Sequence, residues 1–267
     1  MRPDRQDATR TLYGFWLSPY VSLVAHVLEE AGLDYAYERV SPFVGETWSG
    51  AHAERNPLGK VPALREPDGT VLYESQAICR FLAGRHASVR PFYPCDDAVR
   101  CARIDGLADF VTFSISGPFF TWFVVGAYYP KAFHLKVEAE AETFSKLSMV
   151  MVSGALGRLL SAGEMKPFLL GAEPTLPDFH LFHVLELGRT FSDLFDMPLI
   201  DLCGANPALR QFYDTMAARP STRTIQGRQR AEYATTRREI LEEFGTAVEP
   251  MLKQGRVGLR ALLGHDV

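Results

Sequence analysis

Two short stretches of this chain carry residue types that could do chemistry. Ser18-Pro19 sets a hydroxyl and a proline at the start of an apolar helical pattern. Serine is a preferred N-cap and proline suits the first helical turn. The pair therefore puts a hydroxyl donor at the positive end of a helix dipole. Glu74-Ser75 opens a second helical pattern, Gln76 to about His86. A serine at a helix start, with the first free N–H groups, makes an anion site. On residue types alone Ser18-Pro19 is more often just a helix cap, and a plain cap with a dipole-compatible acid suffices for Glu74-Ser75.

Other candidates point away from chemistry. His180 and His183 follow Asp178 at i,i+3 spacing, but no third and fourth metal ligand stands at a telling distance, so a core and capping role is expected. Arg223, Arg228, Arg230, Arg237 and Arg238 are followed at once by Glu239, Glu242 and Glu243, the pattern of a solvated charged helix. The four cysteines, Cys79, Cys95, Cys101 and Cys203, contain no C-x-x-C pair and read as reduced thiols of a cytoplasmic protein. The net charge of −4 lacks the basic excess of a nucleic-acid binder. Phe110 to Pro130 carries no formal charge, yet Gly117-Pro118 would break a membrane span, so a buried aromatic wall beside a ligand pocket is expected.

These residues need elements to position them. Thr11 to Phe15 reads as a strand, followed by a helix from Ser18-Pro19 to Gly32 with Leu23, Val24, Val27 and Leu28 at helical spacing. Asp34 to Val40 reads as a second strand, then comes an irregular piece. Val61 to Arg65 and Thr70 to Tyr73 flank a Pro-Asp-Gly turn and predict an antiparallel hairpin. The order is β-α-β-(α)-β-β-α. Beyond Pro94 the strand signal nearly vanishes. Two long helices parted near Tyr129-Pro130 are expected, then one started by the capping-box-like Thr175-x-x-Asp178, then one from Asn206-Pro207 to Arg219-Pro220. The predicted fold class is α+β: a disordered lead (1–10), an α/β domain (11–86), a linker (87–95), an all-α domain (96–225) and a helical C-terminal extension (226–267). Ile240, Leu241, Phe244 and Val248 give that extension an apolar face.

This order resembles the cytosolic glutathione transferases, a thioredoxin-like domain followed by a helical bundle. The likeness runs from about Thr11 to Ile225 through GFWLSPY (14–20), NPLGKVPAL (56–64), LYESQAI (72–78), TLPDF (175–179) and NPALRQFYDTMAARPS (206–221). It is similar to the serine-type members, theta- or phi-like or bacterial. It implies a detoxifying transferase with glutathione as substrate, a small hydrophobic electrophile as second substrate, no metal, and a homodimer. The alternatives are a non-catalytic binding or scaffold protein of the same fold, or a glutathione-dependent isomerase, dehalogenase or ether-cleaving enzyme.

By that resemblance Ser18 stabilises the glutathione thiolate. A free thiol titrates at about 8.5, and lowering that to about 6.5 requires about 2.7 kcal/mol. One aimed hydroxyl and a helix N-terminus are together of that size. Ser22, Tyr13 and Tyr20 are the rivals for this role. Val61, before a proline that is cis in thioredoxin-like folds, would pair with the cysteinyl backbone, like a strand added to an edge. Glu74 would take the γ-glutamyl ammonium, Ser75 its carboxylate, and Lys60 the glycyl carboxylate. Thr47 stands where theta-like relatives often have a histidine, and Trp48 or His52 could contribute instead. Ser18-Pro19-Tyr20-Val21 also looks like a glutaredoxin-type site without its sulfurs. Tyr20, Phe113, Phe119, Trp122 and Phe123 are the candidates for the electrophile pocket.

Overall fold

The computed structural model describes residues 9–48, 50–123, 139–161, 167–194, 201–203, 206–239 and 242. Strand β1 (Thr11–Gly14) is buried along its whole length, so it reads as a continuous run rather than an alternation. Helix α1 (Pro19–Glu30) follows, capped by Ser18, whose Oγ accepts from the Val21 N–H at 3.4 Å. It closes where Gly32 takes a φ of 63°. There Leu33 N–H donates to Leu28 O at 2.9 Å and Gly32 N–H to Glu29 O at 3.2 Å, the paired bonds of a Schellman turn.

Strand β2 (Ala36–Arg39) lies parallel to β1. A 3-10 turn (Glu46–Trp48) and helix α2 (Gly50–Arg55) lead to β3 (Ala63–Arg65) and β4 (Val71–Tyr73). Both pairings there are antiparallel, with Leu12 opposite Leu64 and Leu64 opposite Leu72, and the sheet order is β2-β1-β3-β4. The expected hairpin turn forms: Thr70 N–H donates to Asp68 Oδ1 at 3.0 Å and Gly69 has a φ of 86°. Helix α3 (Ser75–Arg85) then packs on α1.

Helix α4 (Ala98–Phe110) is capped by Asp97. It passes through a π-helical stretch, Val111–Ser116, into α5 (Gly117–Phe123). The break expected at Gly117-Pro118 is therefore a change of helical type. Gly117 N–H reaches back to Thr112 O, and the wide turns end where Pro118 brings a residue with no N–H to donate. Tyr129-Pro130, where a helix boundary was expected, lies outside the described residues.

Helices α6 (Ala139–Ser161), α7 (Leu176–Leu194), α8 (Pro207–Ala217) and α9 (Pro220–Arg238) complete the described structure. Thr175 starts α7 as expected, its N–H and Oγ1 both donating to Asp178 Oδ2 at 2.8 Å. Asp178 Oδ1 also accepts from Leu169 N–H at 2.7 Å, which ties the preceding loop to the helix. One hydrophobic cluster runs from Leu12, Val24 and Ile78 through Ile115 and Phe119 to Phe179, Phe182 and Phe212. The two domains thus share a core, with α1 packed along α7.

Three expectations need correction. Arg10, assigned to the lead, is buried and paired with Glu66, its Nη2 lying 2.9 Å from Glu66 Oε2 and 2.8 Å from His86 Nε2. The boundary at 225/226 falls inside α9, which runs on unbroken to Arg238. The arginine-rich helix is not simply solvated. One face of α9 lies against the first domain, where Arg228 pairs with Glu29 at 2.7 Å and Arg39 with Glu232 and Glu239, each at 2.6 Å. Of the apolar face expected beyond it, Ile240, Leu241, Phe244 and Val248 lie outside the described residues. No helix among the described residues is long and apolar enough to cross a membrane.

Candidate functional site

A cavity of about 590 Å³ opens where the start of α1, the loop before β3, the start of α3 and the α4–α5 helix meet. Ser18, Lys60, Val61, Pro62, Glu74 and Ser75 all line it, as do Tyr20 and Phe113. Ser18 and Ser75, 57 positions apart in sequence, are brought to one surface because β1, β3 and α3 present their ends on the same side of the sheet.

Ser18 is buried, with its N–H donating to Phe15 O at 3.1 Å. Its Oγ accepts the Val21 N–H at 3.4 Å, a long contact for an N–H···O bond. Accepting that bond leaves the hydroxyl proton available for a ligand atom in the cavity. The rival Ser22 is committed elsewhere, donating to Trp16 O at 2.9 Å and accepting from Gln229 Nε2 at 3.1 Å. Tyr13 is buried under the Arg55 guanidinium, 4.0 Å from its ring centre, and does not line the cavity. Tyr20 does, with its hydroxyl 2.9 Å from Ser116 Oγ. Burial pushes its phenol above the ordinary range, opposed by the Ser116 bond and reinforced by Glu74, so it stays neutral.

The Val61-Pro62 bond is cis. Among the described residues Val61 makes no hydrogen bond, so its N–H and C=O are open to an extended ligand. Glu74 has a φ of 67°, the one positive value outside glycine among the described residues. Such a backbone costs roughly 1–3 kcal/mol and collects at binding sites. It also corrects the expected cap. Ile78 N–H donates to Glu74 O at 2.9 Å, so Glu74 is the cap residue and Ser75 the first residue inside α3. Ser75 still lines the cavity at the first turn of α3, whose opening N–H groups have no partner within the helix.

Lys60 is exposed at the cavity edge, its carbonyl accepting from Asn56 Nδ2 at 2.7 Å and from His52 Nε2 at 2.9 Å. His52 is thus spent on the loop, and Thr47 is buried away from the cavity. Trp48 covers Gly59, where a Cβ would come within 2.4 Å of the indole. Gly59 therefore has to lack a side chain for that loop to close.

The aromatic candidates divide. Phe113 is 73% exposed at the mouth, and Phe120 lines the wall with its ring 6.0 Å from Tyr20. Phe119 is corrected. It is fully buried behind the wall, stacked on Phe191 at 6.1 Å, because helical periodicity turns it to the core when Phe120 faces the cavity. The side chains of Trp122 and Phe123 lie outside the described residues. Sequence reasoning missed Phe15, Phe43, Phe191, Leu194 and Thr236, which also line the cavity. Phe15 and Phe43 pack edge to face at 5.5 Å, and no spacing signal links residues that meet only through tertiary folding. Among the described residues no cluster of metal-ligating side chains occurs, and His180 and His183 are buried core residues as expected.

Residues 12–90 match the family model described as the glutathione S-transferase N-terminal domain, and residues 121–224 that of the C-terminal domain. Glutathione S-transferase 4 of Zea mays is 44% identical over 75 residues, 28% of this chain and 33% of the relative. A probable elongation factor 1-gamma 2 of Arabidopsis thaliana is 26% identical over 172 residues, 64% of this chain and 38% of the relative. The chain thus spans about a third of the length of these curated relatives. The fold is similar to that of glutathione transferase URE2P6 from Phanerochaete chrysosporium, solved in complex with oxidized glutathione. The TM-score is 0.69 at 21% identity, covering 86% of this chain and 98% of that one.

Proposed function

The chain belongs to the cytosolic glutathione S-transferase superfamily, and from that premise we propose that it is a glutathione transferase using Ser18. What carries this is a single cavity lined at once by Ser18, by Val61-Pro62 and by Glu74-Ser75. The γ-glutamyl ammonium pairs with Glu74, and its carboxylate with Ser75 Oγ and the first N–H groups of α3. The cysteinyl backbone meets the open N–H and C=O of Val61, and the glycyl carboxylate meets Lys60. The sulfur then sits at the start of α1, where the Ser18 hydroxyl donates to it. The thiolate attacks the electrophile, forming a carbon–sulfur bond as the leaving group departs with its electron pair. Phe113, Phe120, Phe15 and Phe191 supply an apolar wall that suits a small hydrophobic electrophile.

Retention on immobilised glutathione, followed by a panel of aromatic halides, epoxides, aryl ethers and isomerisable substrates, tests this. Retention with turnover of at least one electrophile is expected. Turnover of the last two classes would instead assign an ether-cleaving enzyme or an isomerase. The likeness to elongation factor 1-gamma, over 64% of this chain, favours a second reading, a binding role without turnover. Retention without turnover of any electrophile would select it.

A cytoplasmic, detoxifying homodimer belongs to the same proposal. The exposed Leu147, Val150 and Met151 on one face of α6 are suited to such a contact. Light scattering should give twice the chain mass of 29.8 kDa. The mass of a single chain at micromolar concentration would refute it.

A further inference from the structure

Helix α9 supplies only Thr236 to the cavity lining, yet its preceding turns grip Trp16, two residues before Ser18. We propose that Glu232 is a positioning residue for the thiol-activating serine, holding the Phe15–Leu17 loop so that α1 begins in the right place. This rests on the assignment of Ser18 made above.

The grip uses every part of Trp16. Its N–H donates to Glu232 Oε2 at 2.6 Å. Its C=O accepts from Ser22 Oγ at 2.9 Å and from Gln229 Nε2 at 3.2 Å. Its ring stacks on Tyr37 at 4.3 Å, with the Arg228 guanidinium 5.0 Å from the ring centre. Arg228, Gln229 and Glu232 fall on one face of a helix, so a single docked turn delivers all three contacts. A backbone N–H bonded to a carboxylate is stronger than one bonded to a neutral oxygen.

Glu232 is itself held in place. It is buried, with Tyr37 Oη 3.1 Å from its Oε1, the one hydroxyl proton being shared between that oxygen and Gly14 O at 2.8 Å. Arg39 Nε lies 2.6 Å from the same oxygen, a close charge contact that is not aligned as a hydrogen bond. Arg39 also holds Glu239, the residue that follows α9, and Ser41 Oγ donates to Glu239 Oε2 at 2.7 Å. The two loops so anchored, around Trp16 and Ser41, carry Phe15, Leu17, Pro42 and Phe43 into the cavity. Because Ser18 N–H donates to Phe15 O within the same turn, a shift of Trp16 passes directly to Ser18.

The test compares full-length wild type with Glu232→Ala, Glu232→Gln and Ser18→Ala. It reads amide exchange at Trp16, the thiolate absorbance of bound glutathione against pH, and kcat and KM for glutathione. Glu232→Ala should speed Trp16 exchange, raise the titration midpoint of the bound thiol and lower kcat at neutral pH by roughly tenfold, as a small misplacement does. KM for glutathione should stay within about twofold, since the tripeptide is held elsewhere. Glu232→Gln keeps an oxygen for the Trp16 N–H and should restore the titration. Unchanged exchange in Glu232→Ala, faster exchange with a wild-type titration, or no rescue by Gln overturns the proposal. A wild-type titration in Ser18→Ala would instead overturn the role of Ser18 and is read separately. If Glu232→Ala does not fold, Gln229→Ala loosens the same loop from the carbonyl side and is judged by the same titration.

Discussion

At Ser18 a single oxygen serves two partners, and they can be separated by measurement. Its contact with Val21 N–H is long, so replacing it with Ala should cost about 0.5–1 kcal/mol of stability, the weak end for a cap. In the proposed site its proton is aimed at the sulfur, and losing such a donor should reduce turnover on the order of ten- to a thousandfold. The thiolate absorbance of bound glutathione against pH checks it, and coincident titrations in wild type and Ser18→Ala would leave Ser18 a cap alone. Ser75 separates the other way. As the first residue inside α3 rather than its cap, its loss should scarcely change stability. Affinity for glutathione should still weaken by about 1–3 kcal/mol, because a carboxylate loses a hydrogen-bond partner. Calorimetry showing unchanged affinity would remove Ser75 from the site. Both positions were legible because Ser-Pro and Glu-Ser are local signals. The geometry at Glu74 was not, since a positive φ outside glycine has no sequence signature.

Strand β1 and helix α1 meet at Gly14. A Cβ there would stand 2.5 Å from Val21 Cγ2, so the strand approaches the helix only because the side chain is missing. Gly14 O also accepts from Tyr37 Oη at 2.8 Å, tying β2 to the same point. Gly14→Ala should therefore push α1 off the sheet and cost about 1–3 kcal/mol, the usual penalty for overpacking. Thermal unfolding should show a lower midpoint, and an unchanged one would mean Val21 rotates away at no cost. The elements themselves were readable where local rules act: the capped start and glycine end of α1, the Pro-Asp-Gly hairpin, and the Thr175–Asp178 box. Reading failed where a tertiary contact decides. Arg10 is ordered by Glu66, 56 residues away. Helix α9 has a charged sequence, and it is Arg39 of the first domain beside it that pairs with the buried Glu232 and Glu239.

The domains are joined by a buried seam that should make the whole molecule sensitive to acid. His26 on α1 faces His183 on α7, Nδ1 to Nε2 at 3.1 Å, and its Nε2 lies 3.1 Å from Ser221 Oγ and 3.2 Å from Thr222 Oγ1 on α9. His180 packs on Tyr20 at 5.2 Å, and neither of its ring nitrogens has a partner among the described residues. Burial pushes His180 down to about 4, lowers His26 despite Glu30 beside it, and holds His183 well below the ordinary range. All three are neutral in the folded protein at pH 7. As pH falls through the ordinary value of 6.5, the unfolded chain takes up protons that the folded one refuses, so stability is lost. For His180 the loss approaches about 1.4 kcal/mol per pH unit below 6.5 and levels off near pH 4, and His26 and His183 act in the same direction. Asp178 acts in the opposite sense: burial raises it to about 6, so its contribution is present at low pH and fades as pH rises through that value. One carboxyl does not offset three histidines, and unfolding by urea should need less denaturant at pH 5 than at pH 7. His180→Leu should remove one histidine's share of that slope, roughly 2 kcal/mol between pH 6.5 and 5. Since the ring's buried nitrogens are unpartnered, the variant should lose little stability at pH 7. A flat stability profile in the wild type, or a wild-type slope in the variant, would show that this seam does not titrate against folding.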